Sequence, residues 1–124
     1  MPIKFHYDPQ IKVLMARFEG LLSLAEMQES LKLLISDPDI PADANALWDV
    51  SDMEFNNITI DFQREVIEMR RQHAAHRKPA KIAILCTYTL AEPLVKMYTI
   101  LCKDLGEDAR VFMHAEEALA WLAD

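Results

Sequence analysis

The feature that most constrains the fold of this chain is a short, almost uninterrupted apolar segment at residues 81–86, Lys-Ile-Ala-Ile-Leu-Cys. Apolar runs of this kind are typical of parallel strands that are covered by helices, because both faces of such a strand are buried. The segment therefore predicts an α/β protein that is built on a partly parallel sheet.

A second segment, residues 46–52, has the sequence Ala-Leu-Trp-Asp-Val-Ser-Asp and indicates a buried strand that ends in a polar, acidic loop. In an open α/β sheet, ligands and partners meet the loops at the carboxyl ends of the strands. Asp49, Ser51 and Asp52 are therefore candidate binding residues, and this edge of the sheet is the predicted working surface.

The remaining segments alternate between strand and helix patterns. Strands at residues 3–7 and 11–19 are joined by the turn sequence Asp8-Pro9-Gln10, which makes them an antiparallel hairpin. Helices are predicted from Ser23 to Ser36, from Ile60 to Arg77, from Thr89 to about Leu105 and from Glu116 onward, with further strands at 44–50 and 110–113. The order ββαβαβαβα, with right-handed crossovers, predicts one mixed five-stranded sheet with a hairpin edge and a single domain over residues 1–124.

Composition excludes several classes of protein. Only two of the 124 residues are glycine, which disfavours a Gly-rich phosphate loop, and the net charge of −7 disfavours a nucleic-acid binder. No apolar run approaches the ~18 residues of a membrane span, and the first residues lack a secretory pattern. With two cysteines in apolar surroundings, we expect a cytoplasmic protein with free thiols and no cofactor.

The whole chain resembles the SpoIIAA-like group, which is related to STAS domains and more distantly to Sec14-type lipid-binding domains. The similarity lies in the opening hairpin, in the strand Leu47-Trp48-Asp49-Val50 and in the final stretch that begins Arg110-Val111-Phe112-Met113-His114. It implies the same sheet architecture. For function it implies protein binding or, through the Sec14 branch, binding of a small apolar ligand.

STAS anti-sigma-factor antagonists carry a phosphorylatable serine in an Asp-Ser-Ser-Gly motif after the strand that corresponds to 46–50. The corresponding stretch here is Asn56-Asn57-Ile58-Thr59-Ile60-Asp61, which lacks the serine pair and the glycine. Thr59 is the hydroxyl at that place, and Asn57 or Thr59 is the expected N-cap of the next helix. Both remain candidates for partner binding, whereas a kinase switch is not implied.

A catalytic arrangement is the least favoured interpretation of this edge. Asp49, Cys86 and His114 each stand near the carboxyl end of a strand, and a carboxylate, a thiol and an imidazole together would suit a cysteine nucleophile. Strand side chains alternate between faces, however, so a shift of one residue separates the three groups. We expect Cys86 to be an unreactive core residue, and we count Thr87, Tyr88 and His114 as binding candidates only.

The second predicted helix carries histidines and a run of basic residues. His73 and His76 are three apart, but no third ligand stands at a convincing spacing, so no metal site is predicted. Six of the 13 basic residues lie within 64–81: Arg64, Arg70, Arg71, Arg77, Lys78 and Lys81. They would attract an anion such as a phosphate or a lipid head group, or they would form a solvated helix face.

The third predicted helix has an unusually broad apolar surface. One stripe, which we expect to cover the sheet, contains Leu90, Leu94, Met97, Leu101 and Leu105. A second stripe contains Ala91, Val95, Tyr98 and Cys102. A neighbouring helix or a partner chain must cover it, and a homodimer with Val95 and Tyr98 at its interface is one prediction.

Two function hypotheses follow. The first is a non-enzymatic regulatory or protein-interaction module that uses the loops after the third and fourth strands. The alternative is a binder of a small apolar or lipid-like ligand. In either case we expect Asp49 to be partly buried and hydrogen-bonded, because a carboxylate at the end of a strand needs partners.

Overall fold

Five strands and four helices follow one another in the order ββαβαβαβα along residues 3–124, the part of the chain that the computed structural model describes. The first two residues of the predicted domain lie outside it. The elements are β1 (Ile3–Asp8), β2 (Val13–Gly20), α1 (Leu24–Ser36), β3 (Asn45–Met53), α2 (Ile60–Gln72), β4 (Lys81–Leu85), α3 (Glu92–Leu101), β5 (Asp108–Phe112) and α4 (Ala115–Ala123). Short 3₁₀ turns at Thr89–Ala91 and Cys102–Leu105 flank α3.

The strands form one mixed sheet whose spatial order, β1-β2-β3-β4-β5, is the same as their order along the chain. β1 and β2 are antiparallel, with Ile3 opposite Phe18, and the other pairs are parallel. Lys12 adopts the left-handed conformation in the tight turn, so β2 begins two residues later than predicted. The predicted fold class is confirmed.

The sheet separates two apolar clusters. On one face, alternate residues of the central strands pack against α1, α2 and α3, and Ile82 and Ile84 of β4 lie at the centre of this cluster. On the other face, Ala83 and Leu85 of β4 pack against Ala118 and Leu122 of α4, together with Val13 and Leu47. Helices cover both faces of β4, as its apolar sequence predicted.

Local hydrogen bonds determine where α1 and α2 begin. The Ser23 hydroxyl accepts from the backbone N–H of Glu26 at 3.1 Å, and Thr59 accepts from the N–H of Phe62 at the same distance. Each N-cap satisfies a backbone donor that lacks an intrahelical partner. Thr59 rather than Asn57 is therefore the N-cap of α2.

α2 ends at Gln72, five residues before its predicted end at Arg77. The Arg77 side chain donates hydrogen bonds of 3.0, 2.9 and 3.1 Å to the carbonyl oxygens of Pro41, Ala42 and Ala44, which precede β3. These bonds draw the chain away from the helical path and towards the sheet. Arg77 is therefore buried, which corrects the expectation of a solvated helix face at this residue.

The orientation of α3 differs from the prediction. Val95 and Tyr98 are 6% and 9% exposed and belong to the core beneath the helix, while Leu90 at its start is 78% exposed. The second stripe, not the leucine stripe, thus faces the sheet. Val95 and Tyr98 are core residues of the monomer rather than exposed interface residues, because the sheet and α2 cover them.

Candidate functional site

A partly open apolar cavity lies between the sheet, α2 and α3. Its volume is about 520 Å³, which includes its opening to solvent. The residues around it are Phe18, Leu22, Met27, Trp48, Val50, Met53, Phe55, Ile58, Phe62, Gln63, Val66, Ile84, Leu94, Val95 and Tyr98. All but Gln63 are apolar or aromatic, so an occupant would meet a largely apolar wall.

The loop after β3 forms one side of this cavity, and three hydrogen bonds hold it in place. The N–H of Glu54 donates to the carbonyl oxygen of Gly20 at 2.8 Å. The side-chain amide of Asn57 donates to the carbonyl oxygen of Leu22 at 2.7 Å. Within the loop, the N–H of Ile58 donates to the carbonyl oxygen of Phe55 at 3.1 Å. The loop is thereby fixed to the end of β2, and Phe55 and Ile58 are held against the cavity.

Gln63 is the polar residue of the cavity wall. Its side chain is 3% exposed, and its amide nitrogen donates to the carbonyl oxygen of Leu94 at 3.1 Å. Its Oε1 atom accepts no hydrogen bond from any residue of the described chain, 3–124. A buried acceptor without a partner costs ~1–3 kcal/mol. The cavity lining exposes no polar surface, so a donor on a bound molecule would recover that free energy once the Gln63 side chain turns towards the cavity.

Three aromatic rings form a continuous wall at the inner end of the cavity. The centroid of the Trp48 ring lies 5.8 Å from that of Phe18 and 5.7 Å from that of Tyr98, and both pairs are tilted. The Arg70 guanidinium stands 5.0 Å from the Trp48 ring centroid. Tilted aromatic pairs and a cation over a ring are both favourable, so these contacts stabilise the wall.

Arg70 also forms a buried ion pair. Its Nη2 atom lies 2.6 Å from Oε2 of Glu107, whose side chain is 2% exposed, and its Nη1 atom donates to the Tyr98 hydroxyl at 3.0 Å. Burial raises the pKa of the Tyr98 hydroxyl above its usual range and that of the nearby Cys102 thiol to about 12. The pair joins α2 to the segment before β5.

The acidic candidates after β3 lie outside the cavity. Asp49 is half-buried and accepts from the N–H of Ser51 at 3.0 Å, so it is placed as predicted. Asp52 is exposed and pairs with Arg17. The Ser51 hydroxyl is buried and has no hydrogen-bond partner among the residues described. None of the three belongs to the cavity lining.

The other candidates take different positions. Asn57 holds the loop beside the cavity, and Tyr88 lies at its rim, with its ring 6.3 Å from that of Phe55. Thr87 is exposed after β4, and His114 is exposed at the start of α4. The structure thus brings Asn57 and Tyr88 close to the cavity and leaves Thr87 and His114 apart from its lining.

The thiol, imidazole and carboxylate that a cysteine nucleophile would require do not converge. Cys86 lies on the same face of the sheet as Ile84, whereas Asp49 is paired with Leu85, which faces α4. The Cys86 thiol is 1% exposed and donates to the carbonyl oxygen of Tyr88 at 3.4 Å, and burial raises its pKa. Within residues 3–124, no three His, Cys, Asp or Glu side chains form a cluster that would hold a metal ion.

Sequence reasoning missed most of the cavity. The acidic and amide residues after β3 predict a polar loop, although Met53, Phe55 and Ile58 alternate with them. Large apolar side chains in a loop are a usable signal, because they must be buried against something. The position of Gln63, by contrast, has no signal in the sequence.

Comparisons with known proteins agree with this architecture. No protein-family model matches the chain, and a comparison with curated proteins gave no match. Among solved structures, the chain is similar to an uncharacterised protein of the DUF3478 family from Shewanella loihica PV-4, described as having a SpoIIAA-like fold. The TM-score is 0.66 at 17% identity, over 97% of this chain and 91% of that one. At this identity the similarity establishes the fold alone, and the fold of this chain is SpoIIAA-like, as the sequence resemblance implied.

Proposed function

We propose that the protein binds a small, largely apolar ligand in the cavity between the sheet, α2 and α3. The observation that supports this is a partly open cavity whose exposed lining is entirely apolar, with one buried, unpaired acceptor, Oε1 of Gln63, directly behind that lining. Ligand sites are typically concave and combine apolar walls with a few polar groups. The Sec14-type resemblance points to the same ligand class, at the level of fold only.

The ligand carries one hydrogen-bond donor, such as a hydroxyl or an amide N–H. Burial of its apolar surface supplies most of the affinity, at ~25 cal/mol per Å². The donor supplies selectivity, because an analogue without it leaves Gln63 unpaired at a cost of ~1–3 kcal/mol, or roughly 5- to 150-fold in affinity. Trp48 stands in the cavity wall, so its fluorescence should respond to binding.

The test is a titration of the protein with 1-octanol and with octyl methyl ether, followed by tryptophan fluorescence. We expect the alcohol to bind at least fivefold more tightly than the ether. Gln63→Leu should remove this preference, whereas Gln72→Leu, on the exposed end of the same helix, should retain it. If the wild type binds neither compound, the cavity is not a ligand site and the proposal is wrong.

Exposed apolar residues support a second candidate function, protein interaction at the carboxyl-end edge of the sheet. Leu21, Tyr88, Leu90 and Met113 follow three different strands and are 59%, 48%, 78% and 43% exposed. A second copy of the chain is the simplest partner. Leu90→Glu should then convert a dimer into a monomer, and Leu33→Glu on α1 should not. A monomeric wild type in light scattering at high micromolar concentration would contradict this.

No helix within residues 3–124 has the length and apolar character that crossing a bilayer requires.

A further inference from the structure

A second, partly open cavity lies between α1, the first three strands and the segment that follows α2, and its volume of about 530 Å³ includes its opening to solvent. Most of its lining is apolar, with Ile3, Phe5, Leu14 and Leu31 among the contributors. Its polar members are Ser30, Arg70 and Arg77. This cavity shares the side chains of Phe18, Met27 and Trp48 with the first one, so the two spaces are neighbours.

Ser30 offers an unused hydrogen-bond donor to this space. It lies on α1 with 3% of its surface exposed, and its hydroxyl has no partner in the described part of the chain. A serine inside a helix usually bonds back to a carbonyl oxygen of the preceding turn. A buried hydroxyl without any partner costs free energy, and a bound acceptor would remove that cost.

Arg77 offers a positive charge that has no direct ion pair. It is 9% exposed, and three of its hydrogen bonds go to backbone carbonyl oxygens, which solvate the guanidinium without neutralising it. No carboxylate of the described residues lies within ion-pairing distance of it. Burial, followed by the repulsion of Arg70, lowers the pKa of Arg77 to about 10, so the side chain remains charged at neutral pH.

The charge of Arg70, in contrast, is already matched. Glu107 pairs with it at 2.6 Å behind the aromatic wall. Among the buried side chains, two arginines and one glutamate leave a net charge of +1 beside the cavity, which a single anionic group would balance. Asp43 also favours the charged form of Arg77, but its side chain is exposed to solvent. A dianion would bring one negative charge more than the arginines can balance, because Glu107 already pairs with Arg70.

We propose that this second cavity binds a monocarboxylate with an apolar chain, whose carboxylate meets Arg77 and the Ser30 hydroxyl while its chain lies along the apolar lining. A guanidinium has five N–H donors, and three of its bonds are used here, so Arg77 retains donors for a ligand. Hydrogen bonds between charged partners are the stronger kind, and an arginine suits a planar carboxylate. This site is separate from the one in the proposed function and does not depend on it.

The test is calorimetric titration of the protein with octanoate and with 1-octanol. We expect octanoate to bind and the alcohol to bind at least tenfold more weakly in this cavity. Ser30→Ala should weaken octanoate about tenfold, as expected for loss of a hydrogen bond to a charged group. Ser36→Ala is the matched control, because Ser36 lies on the same helix and its exposed hydroxyl bonds to the Leu33 carbonyl oxygen.

NMR spectroscopy with an assigned Arg77 side-chain signal gives a second readout that does not depend on any variant. Octanoate should shift the side-chain Nε–H signal of Arg77 in a ¹⁵N spectrum, and 1-octanol should not. Gln63→Leu should leave octanoate binding unchanged, since that residue lines only the first cavity. Absence of octanoate binding, equal effects of Ser30→Ala and Ser36→Ala, or loss of octanoate binding in Gln63→Leu alone would each overturn the site.

Discussion

The two faces of the sheet differ in how closely their side chains are packed. The face beneath α4 is packed with aliphatic side chains, and neither of the two large cavities touches a residue of that cluster. The face beneath α1, α2 and α3 contains both cavities, the Arg70–Glu107 ion pair and the unpaired polar groups of Gln63 and Ser30. Both faces share the same five strands, so the helices account for the difference.

Bulky residues on the three-helix face hold the helices away from the sheet. Phe18, Trp48 and Tyr98 form the aromatic wall, and the spaces on either side of it are the cavities. Protein interiors are normally packed without voids, and each void reduces stability. The comparison therefore places the closer packing beneath α4 and the proposed ligand site on the other face, which we call the binding face.

The largest effect should come from breaking the buried ion pair of the binding face. Glu107→Ala leaves Arg70 charged and buried without its partner, and we expect a loss of about 3–5 kcal/mol in the free energy of unfolding. Urea denaturation measures it. Asp108→Ala removes the exposed partner of Arg110 and should change stability by less than about 1 kcal/mol. Equal losses in the two variants would show that the buried pair matters no more to stability than an exposed one.

A pair of identical substitutions compares the packing of the two faces directly. Leu122→Ala on α4 removes a side chain that is 4% exposed, and we expect a loss of about 2–5 kcal/mol. Leu94→Ala changes a half-buried residue that already lines a cavity, so the loss should be about 1 kcal/mol. Both are read from denaturant midpoints. A loss for Leu94→Ala as large as that for Leu122→Ala would remove the distinction between the faces.

Alkaline pH should weaken the binding face in particular. Burial raises the pKa of Cys102 from its usual 9.0 to about 12, so the thiol stays protonated in the folded state while it ionises in the unfolded state. The unfolded state then binds fewer protons, and the free energy of unfolding falls as pH rises from 9 towards 12, by at most ~1.4 kcal/mol per pH unit for this group.

Denaturant titrations at several pH values measure this slope. Cys102→Ala should have a shallower decline than the wild type, because one ionising group has been removed. The pKa of Tyr98 is also raised by burial, so some decline should remain in the variant. Identical slopes for the two proteins would mean that Cys102 does not contribute to the alkaline loss.

The smallest effect concerns the acidic end of β3. Asp49→Ala removes the acceptor for the Ser51 N–H, and we expect a loss of about 0.5–1.5 kcal/mol. Asp52→Ala, in the same strand, is the control. It removes only the exposed ion pair with Arg17 and should lie within about 0.5 kcal/mol of the wild type. If the curves of Asp49→Ala and the wild type coincide, the predicted structural role of Asp49 is wrong.

Local patterns in the sequence predicted the fold because they depend on residues that are close together in the chain. Ser23 and Thr59 mark helix starts three residues ahead, and the hairpin turn lies between its own strands. The orientation of α3 was not predictable in this way. Both of its stripes are apolar, so periodicity alone does not decide which one faces the sheet.

The contents of the binding face depend on contacts that are distant in the chain. Arg70 was grouped with a basic run, but its partner Glu107 lies 37 residues away, and Arg77 reaches carbonyl groups that are 33 to 36 residues away. The working surface was predicted at the carboxyl-end edge, and the first cavity lies beside the loop after β3. Gln63 was missed because its unpaired acceptor exists only in the folded chain.

The agreement between strand order and chain order has a consequence for how the molecule assembles during synthesis. Each strand pairs with the strand made just before it, so sheet formation can follow the ribosome without waiting for a later segment to be inserted. α4 is made last, and until it docks, the aliphatic surface of Val13, Leu47, Ala83 and Leu85 faces water. The nascent sheet is therefore most prone to aggregation just before its final helix arrives.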